Sequence, residues 1–403
     1  MPAIMDMLCG PGTALAAWMR SWLPQINRFG QSIPQLLVAN RLRMAEQKKY
    51  CVAICSGIMG GSFLVLGLIW SIFGGSPDPF LRVSFLILYG VFFICVGINN
   101  LAFNTLQGKL VQYNFRGRFF LFANTVGGIL AIAAAWWLLP TWLDFGANGV
   151  VYVFVFSGAC FVFGGLVALS CKELPVGAKA APGQSTLRQK LWLPVKLFRQ
   201  NREFRYLAFI AACFGTSMVL FPHYQALYRS TVDESEFSFS LRDLVWWVIL
   251  QNAGTVVISW CAGPAADRFG YRIVLRLILL LLGLAPLLAI WLSQSVDWTL
   301  NYYLLVFLLV GVTPITIRVL NNFALELAPS HEHPQFLSAL SLCIAAPVII
   351  FSQFIGLLLP ILGYYPIFVG ISGIVFVGWL LTFFVTDPRE RLTNDVVEND
   401  NHR

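Results

Sequence analysis

Apolar runs of about 20 residues, the length that crosses a ~30 Å hydrocarbon core, recur along almost the whole chain. No water reaches lipid-facing backbone, so such runs must be helices that satisfy their own N–H and C=O groups. Spans are expected at residues 49–74, 80–104, 118–140, 148–171, 204–226, 243–264, 272–293, 301–326, 336–362 and 364–386. Residues 3–24 read as an eleventh, interrupted by Asp6, the Gly10-Pro11-Gly12 triplet and Arg20. A signal peptide is the competing reading there, but no Lys or Arg precedes the apolar stretch and no small-residue cleavage site follows. Only 11% of the residues are charged, about half the share of a soluble domain. The fold class is therefore an all-α polytopic membrane bundle of about 11 transmembrane helices.

The formal charge of +8 raises the question of a nucleic-acid partner, and the placement of the cations answers it. With successive loops assigned to opposite sides, 22 of the 27 Lys and Arg fall in or at the edge of the segments 25–48, 105–118, 172–205, 265–276, 327–335 and the C-terminal tail. Three lie in the opposite set. This is the positive-inside bias, which puts the tail in the cytoplasm and the chain in a bacterial inner or plasma membrane. The lipid bilayer is the partner, and no nucleic acid is needed. Trp70, Trp136, Trp137, Trp142 and Trp298 sit near the outer ends of spans, where amphipathic rings anchor a helix at the headgroups. The nine cysteines are scattered without metal spacing, and neither metal nor cofactor is expected.

The longest polar interval divides the chain into a bundle at 1–171, a linker at 172–204, a second bundle at 205–386 and a polar tail at 387–403. Within the linker, Leu187, Leu191, Val195 and Phe198 share a helical face opposed by basic residues, which suits either the anionic leaflet or a solvated connector. Asn99-Asn100-Leu101-Ala102-Phe103-Asn104 and Asn321-Asn322-Phe323-Ala324-Leu325-Glu326 end comparable helices in the two halves, a faint internal repeat.

Between two expected spans, on the cation-rich side, the chain reads Gly263-Pro264-Ala265-Ala266-Asp267-Arg268-Phe269-Gly270-Tyr271-Arg272. Gly263 permits close helix approach and Gly270 a left-handed turn. Asp267 can accept from helix N-terminal amides or from a cation, and Arg268 and Arg272 supply cations. The string resembles the G-x-x-x-D-R-x-G-x-R signature of the major facilitator superfamily, found there in the loops joining helices 2 to 3 and 8 to 9. Phe115-Arg116-Gly117-Arg118 and the stretch from Ala328-Pro329 to Pro334 are similar to its loops 4–5 and 10–11. The resemblance implies two pseudo-repeated bundles and an inward gate in which Glu326 meets Arg268 or Arg272. The first-half copy of the signature is expected in the loop 25–48, which instead reads Arg28-Phe29-Gly30-Gln31 and Arg41-Leu42-Arg43, without the Asp-Arg pair. The charge rule sends residues 3–24 inward, as helix 2 of the pattern runs, so the first bundle is read as helices 2–6, with helix 1 absent.

Ionisable groups at membrane depth are expensive and mark function by default. Arg318, Asn322 and Glu326 fall at i, i+4 and i+8 of one span, so Arg318 with Asn321 and Asn322 forms a candidate cavity wall, or else a structural pair with Glu326. Asn99, Asn100 and Asn104 are the first-half counterparts, and Gln251 with Asn252 adds amides in another helix. Alternating access by a carrier of a small solute, with or without a coupling ion, is the leading function. A transport-inactive sensor or scaffold is the alternative. An enzyme is not expected, because no H-E-x-x-H, G-x-S-x-G or Walker string occurs.

Overall fold

In the computed structural model, residues 8–9, 14–76, 78–112, 115–174, 192–224, 227, 241–294, 302–329 and 331–385 are described. The first half contains α1 (Ala14–Met44), α2 (Lys49–Phe73), α3 (Pro79–Leu110), α4 (Arg116–Leu143) and α5 (Ala147–Ser170). A short α6 (Leu193–Gln200) leads into the second half. That half contains α7 (Arg202–Ser217), extended by a 3-10 turn (Met218–Leu220), then α8 (Leu241–Phe269) and α9 (Tyr271–Gln294). It continues through α10 (Leu304–Val310), α11 (Thr313–Leu327), α12 (His333–Leu362) and α13 (Tyr364–Leu381). Among the described residues, ten segments are long and apolar enough to cross a bilayer, with α10 and α11 acting as one. The chain is an integral membrane protein. The tail and residues 175–191 of the linker lie outside the described residues.

One sequence expectation needs correction. Residues 25–48 do not form a loop, because a single helix runs from Ala14 to Met44 through Pro24 and Pro34. The segment looks like a loop by hydropathy because its polar side chains, Asn27, Arg28, Gln31, Ser32 and Gln35, repeat on a helical face. That face is turned toward protein. The opposite requirement, an apolar stripe, is met by Leu36, Ala39 and Leu42, all buried. Packed between α3 and α12, α1 is the one long helix among those described that is too polar to qualify as a span on composition alone. The motif string is likewise helical up to Phe269, and only Gly270, at φ +82°, breaks it.

The halves meet along two seams, α4 against α8 and α1 against α12. Near the ends of the helices that carry most cations, here called the basic end, one apolar core runs across both halves. It joins Ala39, Leu42, Leu101 and Leu106 to Phe204, Phe323, Phe336 and Leu340. Toward the other end the core splits. Phe63, Trp70, Phe85 and Phe154 fill the first half alone, and Tyr224, Tyr303, Phe307 and Phe368 the second. The only cluster of buried residues joining the halves there among the described residues is small: Ala135 on α4 with Val245 and Ile249 on α8. The molecule is thus closed most firmly at its basic end. Trp70 belongs to this core, 1% exposed against Phe154, and is no headgroup anchor, whereas Trp136 and Trp137 are exposed.

Within the first half, the basic end is tied by Glu173. Its enclosed carboxylate pairs with Lys109 at the end of α3 at 2.9 Å and accepts the Lys49 backbone N–H at the start of α2 at 3.0 Å. Lys49 in turn donates to the Cys171 carbonyl at 3.0 Å, closing the end of α5. One carboxylate therefore satisfies a helix start and a cation together. Glu173→Gln keeps an acceptor but loses the charge, and is expected to cost about 1–2 kcal/mol, read as a fall of a few degrees in the apparent unfolding temperature in detergent.

Candidate functional site

A polar cavity of about 40 Å³ lies between α1, α3, α11 and α12. That is room for roughly two or three waters. Its polar wall is Arg28, Gln31, Ser32 and Gln35 from α1, Asn100 and Asn104 from α3, Asn321 from α11 and Ser341 from α12. Leu101, Ile317, Leu337, Ile344 and Ala345 complete it.

Helix geometry assembles this wall. Arg28, Gln31, Ser32 and Gln35 stand at i, i+3, i+4 and i+7, one stripe of a 3.6-residue helix. Asn100 and Asn104 stand at i and i+4 on α3. The two stripes approach because α1 crosses α3 at Gly97, where a Cβ would come within 2.6 Å of the Gln31 carbonyl and 2.7 Å of the Gly30 carbonyl. At 1.5 Å per residue, Arg28 lies about 24 Å along α1 from its Met44 end, and Asn104 and Asn321 each about 9 Å from theirs. The cavity therefore reaches from the basic end toward mid-depth.

Inside it, Arg28 donates to Gln31 Oε1 at 3.3 Å, and Gln31 Nε2 donates to Asn27 Oδ1 at 2.7 Å. Among the described residues, no carboxylate lines the wall. Ser32 closes the seam, its hydroxyl lying 2.8 Å from the Arg28 carbonyl and 3.3 Å from the Ser341 carbonyl of the other half. Nearer the basic end, Gln335 on α12 donates to Asn40 Oδ1 on α1 at 2.9 Å. A guanidinium at membrane depth costs at least ~2.5 kcal/mol on insertion scales, so a wall that holds Arg28 against one amide oxygen has unspent capacity for an acceptor.

Of the residues singled out from sequence, Asn100, Asn104 and Asn321 line this cavity. Asn99 turns to α2, with Nδ2 3.5 Å from Ser56 Oγ. Asn252 bonds the Val248 carbonyl of its own helix at 2.8 Å. Gln251 is partly buried on α8, and Asn322 is buried beside Asn321. Arg318, partly buried, follows Ile317 on α11 and lies outside the cavity lining. The Asn strings of the two halves thus contribute different positions, the second and sixth in one and the first in the other. Sequence reasoning missed Arg28, Gln31, Ser32 and Gln35, although their helical spacing was a legible signal.

The second cluster is the basic-end seam. Asp267, near the end of α8, accepts the backbone N–H of Gly117 at 2.7 Å on Oδ1 and of Arg118 at 2.9 Å on Oδ2. Both amides open α4, so a carboxylate of one half caps a helix of the other, where the helix dipole favours negative charge. Gly117 and Gly263 make this possible, since a Cβ on Gly263 would sit 2.7 Å from the Gly117 carbonyl, and one on Gly117 would meet the Gly263 carbonyl and Asp267 itself. Deeper on the same seam, Asn124 donates to Ser259 Oγ at 3.0 Å, both buried. Arg268 stacks on Phe269 at 5.2 Å, Arg272 reaches the Val385 carbonyl at 3.5 Å, and Glu326 is partly buried near the end of α11.

The Major Facilitator Superfamily sequence profile matches residues 231–400. Solved structures match nearly the whole chain. A bacterial homologue of the iron transporter ferroportin, in an outward-facing state, aligns at a TM-score of 0.68 with 15% identity, over 95% of this chain and 93% of its own. The fucose:proton symporter of E. coli aligns at 0.66 with 13% identity, over 96% and 95%. A human organic anion transporter aligns at 0.63 with 16% identity, over 94% and 93%. No curated protein matches the sequence. At these identities the structures establish the fold.

Proposed function

We propose that this chain is a carrier of the major facilitator superfamily, moving a small polar solute across the membrane by alternating access, with the solute held in the cavity headed by Arg28. The observation that carries the reading is the placement of that cavity. Its wall is drawn from both halves, α1 and α3 on one side and α11 and α12 on the other, so a rocking of the halves opens it to one face or the other. The solved relatives are named for iron, for fucose with protons and for organic anions, so the shared fold leaves the solute open. The cation bias supports the basic end as the cytoplasmic one, which makes Asp267 on the α4 amides part of the inward gate. In this reading Glu326 and the cations of the motif complete that gate, and Arg318 adds positive potential behind the Ile317 and Asn321 wall.

Two-sided access is the test. Ser341→Cys, in sealed vesicles of known orientation, is treated with a membrane-impermeant thiol reagent from one face or the other, and the modified peptide is read by mass spectrometry so that the native cysteines do not interfere. Labelling from both faces is expected, slower from the basic end, where the two halves share one core. Labelling from a single face under every condition would leave a fixed receptor-like molecule and remove the carrier reading.

A further inference from the structure

Resting on that reading of the cavity, we infer that the solute is a small anion, recognised through a carboxylate or phosphate group by the Arg28 guanidinium. Arg28 is, among the described residues, the only ionisable side chain in the wall. Among the described residues its one hydrogen-bond partner is the amide oxygen of Gln31, on its own helix one turn away. Its fork presents five donors, and an uncharged oxygen at 3.3 Å occupies one of them. A planar carboxylate or a phosphate oxygen pair accepts two parallel N–H bonds from such a fork, which no neutral hydroxyl or amide does as well.

The rest of the wall fits the same occupant. Asn100, Asn104, Asn321 and Gln35 supply N–H donors, and Ser341 a hydroxyl, around the remaining anion oxygens. None of these groups brings a negative charge that would repel the solute. A cationic solute meets Arg28 with no carboxylate to offset it, so the same wall rejects the opposite charge. Among the described residues the wall holds no carboxylic acid to pass a proton, so charge complementarity falls to solute and arginine.

The experiment uses the full-length Ser341→Cys protein in detergent and an uncharged maleimide, with the labelling rate at position 341 as readout. Benzoate is compared with benzamide, succinate with succinamide, and inorganic phosphate is added as a third anion. At least one anion is expected to slow labelling about tenfold at a concentration where the matched amides slow it less than twofold. Carboxylates alone protecting assigns organic acids, and phosphate alone assigns a phosphoryl group; either outcome supports the inference. Adding Arg28→Gln should abolish the difference between acid and amide, while Arg28→Lys, which keeps the charge and guards against misfolding of the Gln variant, should retain a weakened preference. Equal protection by amides, an acid preference surviving Arg28→Gln, or no protection by any of the anions would overturn it. Such a failure leaves the two-sided labelling of position 341, and with it the carrier reading, untouched.

Discussion

Arg28→Met is expected to reduce transport of a position-341-protecting anion about 100-fold while leaving membrane abundance near normal. A charge-assisted bond is worth about 1.5–3 kcal/mol, and two made through one fork reach that loss of roughly 100-fold once the cost of reordering is subtracted. Abundance should hold because methionine fills the same space and removes, in the empty protein, a cation that only Gln31 offsets by hydrogen bonding among the described residues. Arg318→Lys, by contrast, should cost less than about tenfold, since Ile317 and Asn321 line the cavity and Arg318 does not. Initial uptake rates in proteoliposomes, normalised to reconstituted protein, compare the two. Equal losses at both positions would mean that the cavity widens to include Arg318 during transport, and a larger loss at Arg318 would move the binding site to its face of α11.

Hydropathy made ten of the membrane helices legible, because lipid-facing side chains must be apolar whatever they pack against. It failed at α1 for a physical reason: the helix packs between α3 and α12, and its polar stripe faces a cavity rather than lipid. Pro24, Gly30 and Pro34 added breaker signals that burial between neighbours overrides. The amides Asn100, Asn104 and Asn321 were found because they interrupt otherwise apolar runs. Arg28 was hidden by being placed in a loop, where a cation is unremarked. The signature around Asp267 was readable as a string, but its carboxylate's partners, two backbone amides 150 positions away, leave no trace in composition or spacing.

Gly117→Ala is expected to shift the protein toward states open at the basic end by roughly 5- to 150-fold. The added methyl lands on the Gly263 carbonyl and on Asp267, backbone and a half-buried carboxylate held by two amides rather than a flexible side-chain tip. Overpacking of this kind costs about 1–3 kcal/mol, and the strain exists only while α4 and α8 touch there, so it acts as a bias between conformations. Asp267→Asn should push the same way by a smaller amount, since one of its two acceptor oxygens becomes a donor facing an amide. The two changes share one contact, so together they should give less than the sum of their effects. Labelling of Ser341→Cys from the basic side measures this directly. An unchanged rate in Gly117→Ala would show that the glycine crossing is a structural seam and no part of the gate.

At the far end of the same seam, Trp136 on α4 and Trp246 on α8 lie edge to face, with ring centroids 5.5 Å apart and planes at 76°. The α4–α8 seam therefore carries a glycine contact at one end and an indole pair at the other, so the proposed rocking about the first would change the spacing of the second. Two indoles this close couple their electronic transitions, and the coupling falls steeply as they part. Under the alternating access proposed above, the pair is an optical gauge of opening: its ultraviolet circular dichroism, isolated as the difference from Trp246→Phe, would record which way the bundle stands without any added dye.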